Sequence, residues 1–193
     1  MYYGELVCLR ALEESDIDSM LLYWNTWELR RTIGVPLPRS RAAMEDWLVG
    51  ASKTDPWKDG ELNLAITEKR SGEFLGFAVL RAIRSPHNRG RLGISIYNPQ
   101  NRSKGYGTDA TRVLLWIAFH ILCLRSISLD TFPHNERAIR AYRKCGFKRV
   151  GLLRKTEFMD GEYCDLLIMD ILREEFMRDY PSGTFVGPAT DAS

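Results

Sequence analysis

Apolar and polar positions alternate, or recur at helical spacing, in a well-ordered series along this chain. Leu6 to Arg10 reads as a first strand, and Ser15-Asp16 is an N-cap signal ahead of an apolar stripe at Ile17, Met20, Leu21 and Trp24. A second amphipathic helix is predicted after Pro38-Arg39-Ser40, with Ala43, Met44, Trp47 and Leu48 on one side. Three alternating segments follow, Leu62 to Thr67, Phe74 to Ile83 and Leu92 to Tyr97. The turn-forming stretches Arg70-Ser71-Gly72 and Ser85 to Gly90 separate them, which predicts an antiparallel meander. Gly105 to Leu124 carries Ala110, Val113, Leu114, Ile117, Ala118, Ile121 and Leu122 at helical spacing, an apolar face wide enough to predict burial. Ile127 to Thr131 is a further strand. A helix from Asn135 to Cys145 ends at Gly146, with Arg143 and Lys144 favourably placed in its last turn. Phe147 to Phe158 and Glu162 to Leu172 form a hairpin through Met159-Asp160-Gly161, Asp-Gly being a favoured turn pair. The predicted class is α+β, with a mixed, mostly antiparallel sheet of about seven strands flanked by about four helices. One domain over residues 1–180 is expected, and 181–193, small and polar, reads as a disordered tail.

At 193 residues with 45% apolar and 27% charged positions, the chain has the composition of one globular domain, which excludes collagen-like and disordered classes. Its longest apolar run, Val113 to Leu124, is too short to cross a bilayer, and Met1 to Glu5 lacks the features of a signal peptide, so a cytoplasmic protein without a membrane partner is expected. Cys8, Cys123, Cys145 and Cys164 lie far apart with no CxxC pair, which predicts reduced thiols and no metal site. The net charge of +2 conceals an asymmetry. Residues 1–80 carry 9 Lys/Arg and 13 Asp/Glu, residues 81–155 carry 16 and 3, and residues 156–193 carry 2 and 9. A central block at +13 points to a bound anion, either a multiply phosphorylated small molecule or a nucleic-acid backbone. Aromatics do not interleave with the basic residues as in single-strand binders, so no nucleic acid is expected.

The stretch Asn98 to Thr108 lies between a predicted strand and a long helix. Pro99 stops the strand. Gly105 and Gly107 allow a close backbone approach at the positive end of the helix dipole, and Arg102 and Lys104 add charge, which is the chemistry of a pyrophosphate cradle. Gly105 to Ala110 also fits the dinucleotide fingerprint GxGxxA, with Asp130 placed 25 residues on. However, seven residues separate Tyr97 from Gly105, where a dinucleotide unit turns almost at once. Only 63 residues follow Asp130, too few for the remaining parallel half-sheet.

Arg102-Ser103-Lys104-Gly105-Tyr106-Gly107 resembles the Q/R-x-x-G-x-G/A acetyl-CoA motif of the GCN5-related N-acetyltransferase (GNAT) superfamily. Leu9-Arg10 with Glu14-Ser15-Asp16, Asn135 to Ala138 with Tyr142 and Gly146-Phe147, and Gly161 to Asp165 agree with it in order. The order is similar to that of ribosomal-protein N-terminal acetyltransferases and their small-molecule-modifying relatives, over residues 5–173. The resemblance implies an N-acetyltransferase using acetyl-CoA on a primary amine, a peptide N-terminus or a small molecule such as an amino sugar, and it also implies a homodimer. Ser95, Ile96 and Tyr97 would pair with the pantetheine arm, and Arg102, Ser103, Lys104, Gly105, Tyr106, Gly107 and Thr108 would hold the pyrophosphate. Asn135 would cap its helix and bond the cofactor, while Tyr142 would stand at the sulfur and protonate the departing thiolate. Cys145 has no activating partner nearby in sequence, so direct attack rather than an acylated enzyme is expected. Relatives often carry a glutamate where this chain has Arg91. Asp130, His134, Glu157 and Asp165 are therefore candidate bases, and a catalytically weak acyl-CoA sensor is the alternative. The arginines at 81, 84, 89 and 91 read either as attractors of an acidic acceptor or as guards of a strand edge. Trp24, Trp27, Trp47 and Trp57 are candidates for the acceptor wall, with Trp24 and Trp47 also reading as core.

Overall fold

The computed structural model describes residues 1–84 and 86–185. Eight strands form one sheet: β1 (Tyr2–Tyr3), β2 (Val7–Ala11), β3 (Leu62–Glu68), β4 (Phe74–Arg84), β5 (Arg89–Ile96), β6 (Ser126–Thr131), β7 (Lys148–Met159) and β8 (Glu162–Leu172). Their spatial order is β1-β2-β3-β4-β5-β6-β8-β7, and every neighbouring pair is antiparallel except β5–β6. The helices are α1 (Ile17–Trp24), α2 (Trp27–Ile33), α3 (Arg41–Ser52), α4 (Tyr106–Trp116), α5 (Glu136–Lys144) and α6 (Arg173–Met177).

The α+β class and the mixed sheet are as the sequence predicts, with eight strands and six helices in place of about seven and four. The additions are short. β1 has two residues, and α2 separates from α1 because Thr26 Oγ1 caps a new start by accepting from Leu29 N at 3.4 Å. Gly34, at φ 72°, ends α2 in the left-handed region that a side chain disfavours. The helix read as running to Leu124 is α-helical only to Trp116 and continues as one π-helical turn, Ile117–Ile121.

The sheet separates two cores, as the period-2 alternation of its strands requires. On one face Leu80, Leu92, Ile127, Leu129 and Met169 pack against Val113, Leu114 and Phe119. On the other, Ala65, Phe77, Val79 and Tyr97 pack against Met20, Trp24, Leu29, Met44 and Leu48 from α1 to α3. The first core is held together at its end by a single carboxylate. Asp109, buried in the first turn of α4, accepts from the backbone N–H groups of Glu5 (3.2 Å), Leu6 (2.7 Å) and Val7 (3.0 Å). Gly4 must lack a side chain for this, since a Cβ there would lie 2.3 Å from Asp109 Oδ2.

The segment after Tyr180 corrects the reading of a disordered tail from Pro181. Trp116 Nε1 donates to Pro181 O at 3.1 Å, Tyr3 N donates to Phe185 O at 3.1 Å, and Phe185 is buried in the α4 core. The apolar anchor Phe185 stands outside the polar composition on which that expectation rested. Its remainder, 186–193, lies outside the described residues.

Asp109→Ala is expected to leave three inward-facing amides without a partner and to destabilise the fold by about 3 kcal/mol. That is a fall of about 6–12 °C in Tm for a chain of this size, measurable by thermal and urea denaturation.

Candidate functional site

β5 and β6 pair only at Arg89–Ser126, Gly90–Ile127 and Arg91–Ser128. Beyond these, β5 stays with β4 as far as Ile96 and β6 stays with β8 as far as Thr131, so the two halves of the sheet diverge. Leu92 to Ile96 therefore keep one edge of backbone hydrogen-bonding groups unpaired by a strand. β5 is held this close to β4 by a glycine. A Cβ on Gly76 would stand 1.9 Å from Ser95 O.

At the open end of this wedge the chain turns into α4. Asn98 Oδ1 accepts from Gln100 N at 2.9 Å, Pro99–Asn101 make one 3₁₀ turn, and Ser103 and Gly105 take φ values of 63° and 94°. No side chain caps the first turn of α4. Its leading N–H groups are left to an external anion, with the helix dipole adding to the attraction. A Cβ on Gly107 would have only Ile96 Cγ1 near it, at 3.7 Å, so the protein itself does not demand a glycine there. The missing side chain leaves room at the helix start for a ligand.

A cleft of about 870 Å³ runs along the wedge. Of the residues expected from sequence, Ser95, Ile96, Tyr97, Arg102, Ser103, Gly105, Gly107, Thr108, Asn135 and Tyr142 line it. Lys104 and Tyr106 do not. The Lys104 ammonium donates to Oδ1 of the lining residue Asn101 at 3.3 Å, and Tyr106 packs against the α4 core. Arg102 has a different task from free phosphate ligation. Its guanidinium donates to Ile96 O (3.2 Å) and Tyr97 O (3.4 Å) and pairs with Glu28 of α2, fastening the end of β5 to the loop and to the facing helical layer. Burial lowers its pKa from the ordinary arginine value, and Glu28 opposes that.

Asn135 caps α5, its Oδ1 accepting from Ala138 N at 3.2 Å and its amide nitrogen remaining a donor. Tyr142, two turns on, packs edge-to-face on Phe147 at 5.8 Å. Burial, then the nearby Asp130 carboxylate, raises the pKa of Tyr142, so it is a phenol with a proton to give at neutral pH. The Cys145 thiol points away to Thr108 O at 3.4 Å, and burial pushes its pKa up to about 12, too high for a nucleophile. Among the candidate bases, Asp130 and Glu157 line the cleft. Asp130 is already engaged by the Arg91 guanidinium. His134 stacks on the lining residue Phe132 but does not itself line the cleft, and Asp165 accepts from Lys155 N at 2.8 Å.

Trp24 and Trp47 are both wall and core, since each lines the cleft and belongs to the second core. Trp27 and Trp57 are solvent-exposed and lie outside the lining. Three contributors had weak signals in sequence or none. Glu28 gave none, Gly76 was a glycine inside a strand pattern, and Asp109 was an acid in a first helical turn.

Coenzyme A fits these residues. The uncapped turn at Gly107 suits its pyrophosphate, and the unpaired edge of β5 suits the amide groups of its arm. The buried Ser95 Oγ, which has no hydrogen-bond partner, lies on that same strand.

Comparison with known proteins agrees with this geometry. The family model described as an acetyltransferase (GNAT) domain matches residues 7–148. The chain is 24% identical over 175 residues to an uncharacterized N-acetyltransferase, p20, of Bacillus licheniformis, covering 90% of this chain and 97% of that one. It is 31% identical over 119 residues to the spermidine N(1)-acetyltransferase of Escherichia coli K12, a match that spans 61% of this chain and 63% of the relative. Among solved structures, the spermidine N-acetyltransferase of Vibrio cholerae in complex with CoA and spermine superposes with a TM-score of 0.80 at 24% identity. That superposition covers 89% of this chain and 98% of the other and shows a shared fold.

Substitution at Gly107 separates ligand binding from folding. Alanine favours the helix by about 1 kcal/mol over glycine and meets no clash, so Tm should hold or rise. The motif position of Gly107 accepts glycine or alanine, so Gly107→Ala should keep its affinity for coenzyme A within threefold, whereas Gly107→Leu, whose side chain extends beyond that Cβ, should lower it at least tenfold in isothermal titration calorimetry.

Proposed function

The chain belongs to the GNAT acetyltransferase family and is an N-acetyltransferase that uses acetyl-CoA, and from that premise we propose that it acetylates the primary amine of a small molecule by direct attack in a ternary complex. The observation that carries this reading is the uncapped turn of α4 facing the unpaired edge of β5. The closer placement among ribosomal-protein N-terminal acetyltransferases gains no support from the relatives named above. The broader family is what the matches support, and two of those named act, by their names, on a polyamine.

When bound, acetyl-CoA supplies an acetyl thioester with a thiolate leaving group. The β5 edge would bind the arm and present one backbone N–H to the carbonyl oxygen as it gains charge; losing one such donor costs about 2.7 to 4 kcal/mol in other acyl-transfer sites. Asn135 orients the ligand from the α5 cap. Tyr142 holds a proton for the sulfur, and its raised pKa keeps that proton in place through the neutral range. Glu157, on the cleft wall without an ion-pair partner among the described residues, takes the proton of the attacking ammonium. The glutamate that Arg91 displaces is thus replaced by a carboxylate arriving from β7, on the opposite bank. This argues for catalysis over a mere acyl-CoA sensor. Cys145 stays outside the chemistry. For the homodimer, the physical candidate is β7, the outer strand of the sheet, where Val150, Leu152 and Leu153 are 61, 49 and 51% exposed.

Tyr142→Phe should lower kcat at least 100-fold while leaving acetyl-CoA affinity within threefold, read by thiol release and calorimetry. Glu157→Gln should lower kcat tenfold or more at neutral pH and recover part of the loss as pH rises and the amine deprotonates unaided. A flat pH–rate ratio between the glutamine variant and the parent enzyme would remove Glu157 from this role.

A further inference from the structure

The acceptor end of the cleft has a charge pattern that the transfer chemistry does not need. Arg81 and Arg91 are direct cross-strand partners on β4 and β5. They share the sheet face of Val79, Gly93 and Tyr97 by period-2 alternation, and both line the cleft. Like charges so placed, with Cβ atoms about 5 Å apart, repel. Glu61 meets Arg81 through Nε alone at 3.3 Å, which leaves its terminal nitrogens free, whereas Arg91 is committed to Asp130.

A third cation comes from above. The loop between α2 and α3 is fastened by Asn25, whose amide nitrogen donates to Arg39 O at 2.9 Å and whose Oδ1 accepts from Arg39 N at 2.9 Å. The Arg39 guanidinium then lies 5.9 Å from the centre of the Trp24 ring, at the cleft wall. Its side chain has no carboxylate partner among the described residues. Among the described residues lining the cleft, the one carboxylate outside an ion pair is Glu157, across the wedge on β7. A substrate with several ammonium groups would find one partner and two opposing guanidinium groups.

We infer that the acceptor is a small primary amine that carries its own anionic group, a carboxylate or a phosphate, seated with the amine toward Glu157 and the anion against Arg39 and Arg81. The inference rests on the acetyltransferase reading and refines its substrate. It also departs from the polyamine acceptors named for the relatives, on the ground that the cleft is basic where a polyamine would need acids.

The test is thiol release at saturating acetyl-CoA with matched amines: glucosamine against glucosamine 6-phosphate, a butylamine against 4-aminobutyrate, and spermidine. The anionic member of each pair should show kcat/KM at least tenfold higher, and the preference should shrink as salt is raised. The double variant Arg39→Gln/Arg81→Gln, with its Tm and acetyl-CoA affinity measured alongside, should raise KM for the anionic amine about tenfold and leave the neutral one within twofold. Arg81→Glu should move the ranking toward spermidine. Equal rates within the pairs, spermidine as the best acceptor of the parent enzyme, or a preference that survives the double variant would each overturn the inference and leave acetyl transfer standing. Absence of thiol release with every amine, despite bound acetyl-CoA, would overturn both.

Discussion

The site exists because one pair of strands stops pairing after three residues. β5 is committed to β4 along its length and β6 to β8 along its length, so the twist carried by each half of the sheet pulls the two apart once the contact at Arg89 to Arg91 ends. The crossover helix α4 must bridge the gap, and its N-terminus lands at the open mouth. A backbone edge and a helix end are both short of partners, and they face the same space. Ligation by main-chain groups follows from topology more than from any particular side chain.

That geometry needs fixing at both ends, and two charged side chains provide it. Asp109 gathers three amides of the N-terminal loop onto the first turn of α4, which sets the helix start against β2. Arg102 gathers two carbonyls from the end of β5 and ties them to Glu28 on α2. The first fixes the helix-start end of the cleft, and the second couples it to the layer of α1 to α3. Gly76 does the complementary work by absence, letting β4 approach β5 more closely than any side chain permits.

The repeated elements were legible in the sequence because their patterns are long. The stripe from Ala110 to Leu122 and the alternation in β3 to β5 each had enough repeats to define a period, and the Gly105–Gly107 pair announced the uncapped helix start. What escaped was set by tertiary contact. Nothing local distinguishes Arg102 as a clamp from Arg102 as a phosphate ligand, because its partners are main-chain oxygens and a residue 74 positions away. Phe185 looked like part of a polar tail because its anchor points, Tyr3 and the α4 core, are remote in sequence. Among the four candidate bases, composition and spacing treated all alike. Only the fold brings Asp130 and Glu157 to the cleft and leaves His134 and Asp165 outside it.

The central charge block then separates into two functions. Around α4 and α5 positive charge reinforces a helix end whose uncapped N–H groups attract anions already, so no single basic residue there need be decisive: Lys104 does not itself line the cleft. At the proposed acceptor end the charged groups are side chains on β4, β5, β7 and the α2–α3 loop. A group held by backbone tolerates variation in side chains, while a group held by two guanidinium groups and one carboxylate changes character with each substitution. The fold can therefore keep its thioester chemistry while its amine preference is rewritten at a few positions. In this chain those positions carry arginine, which sets the local potential against a polycation.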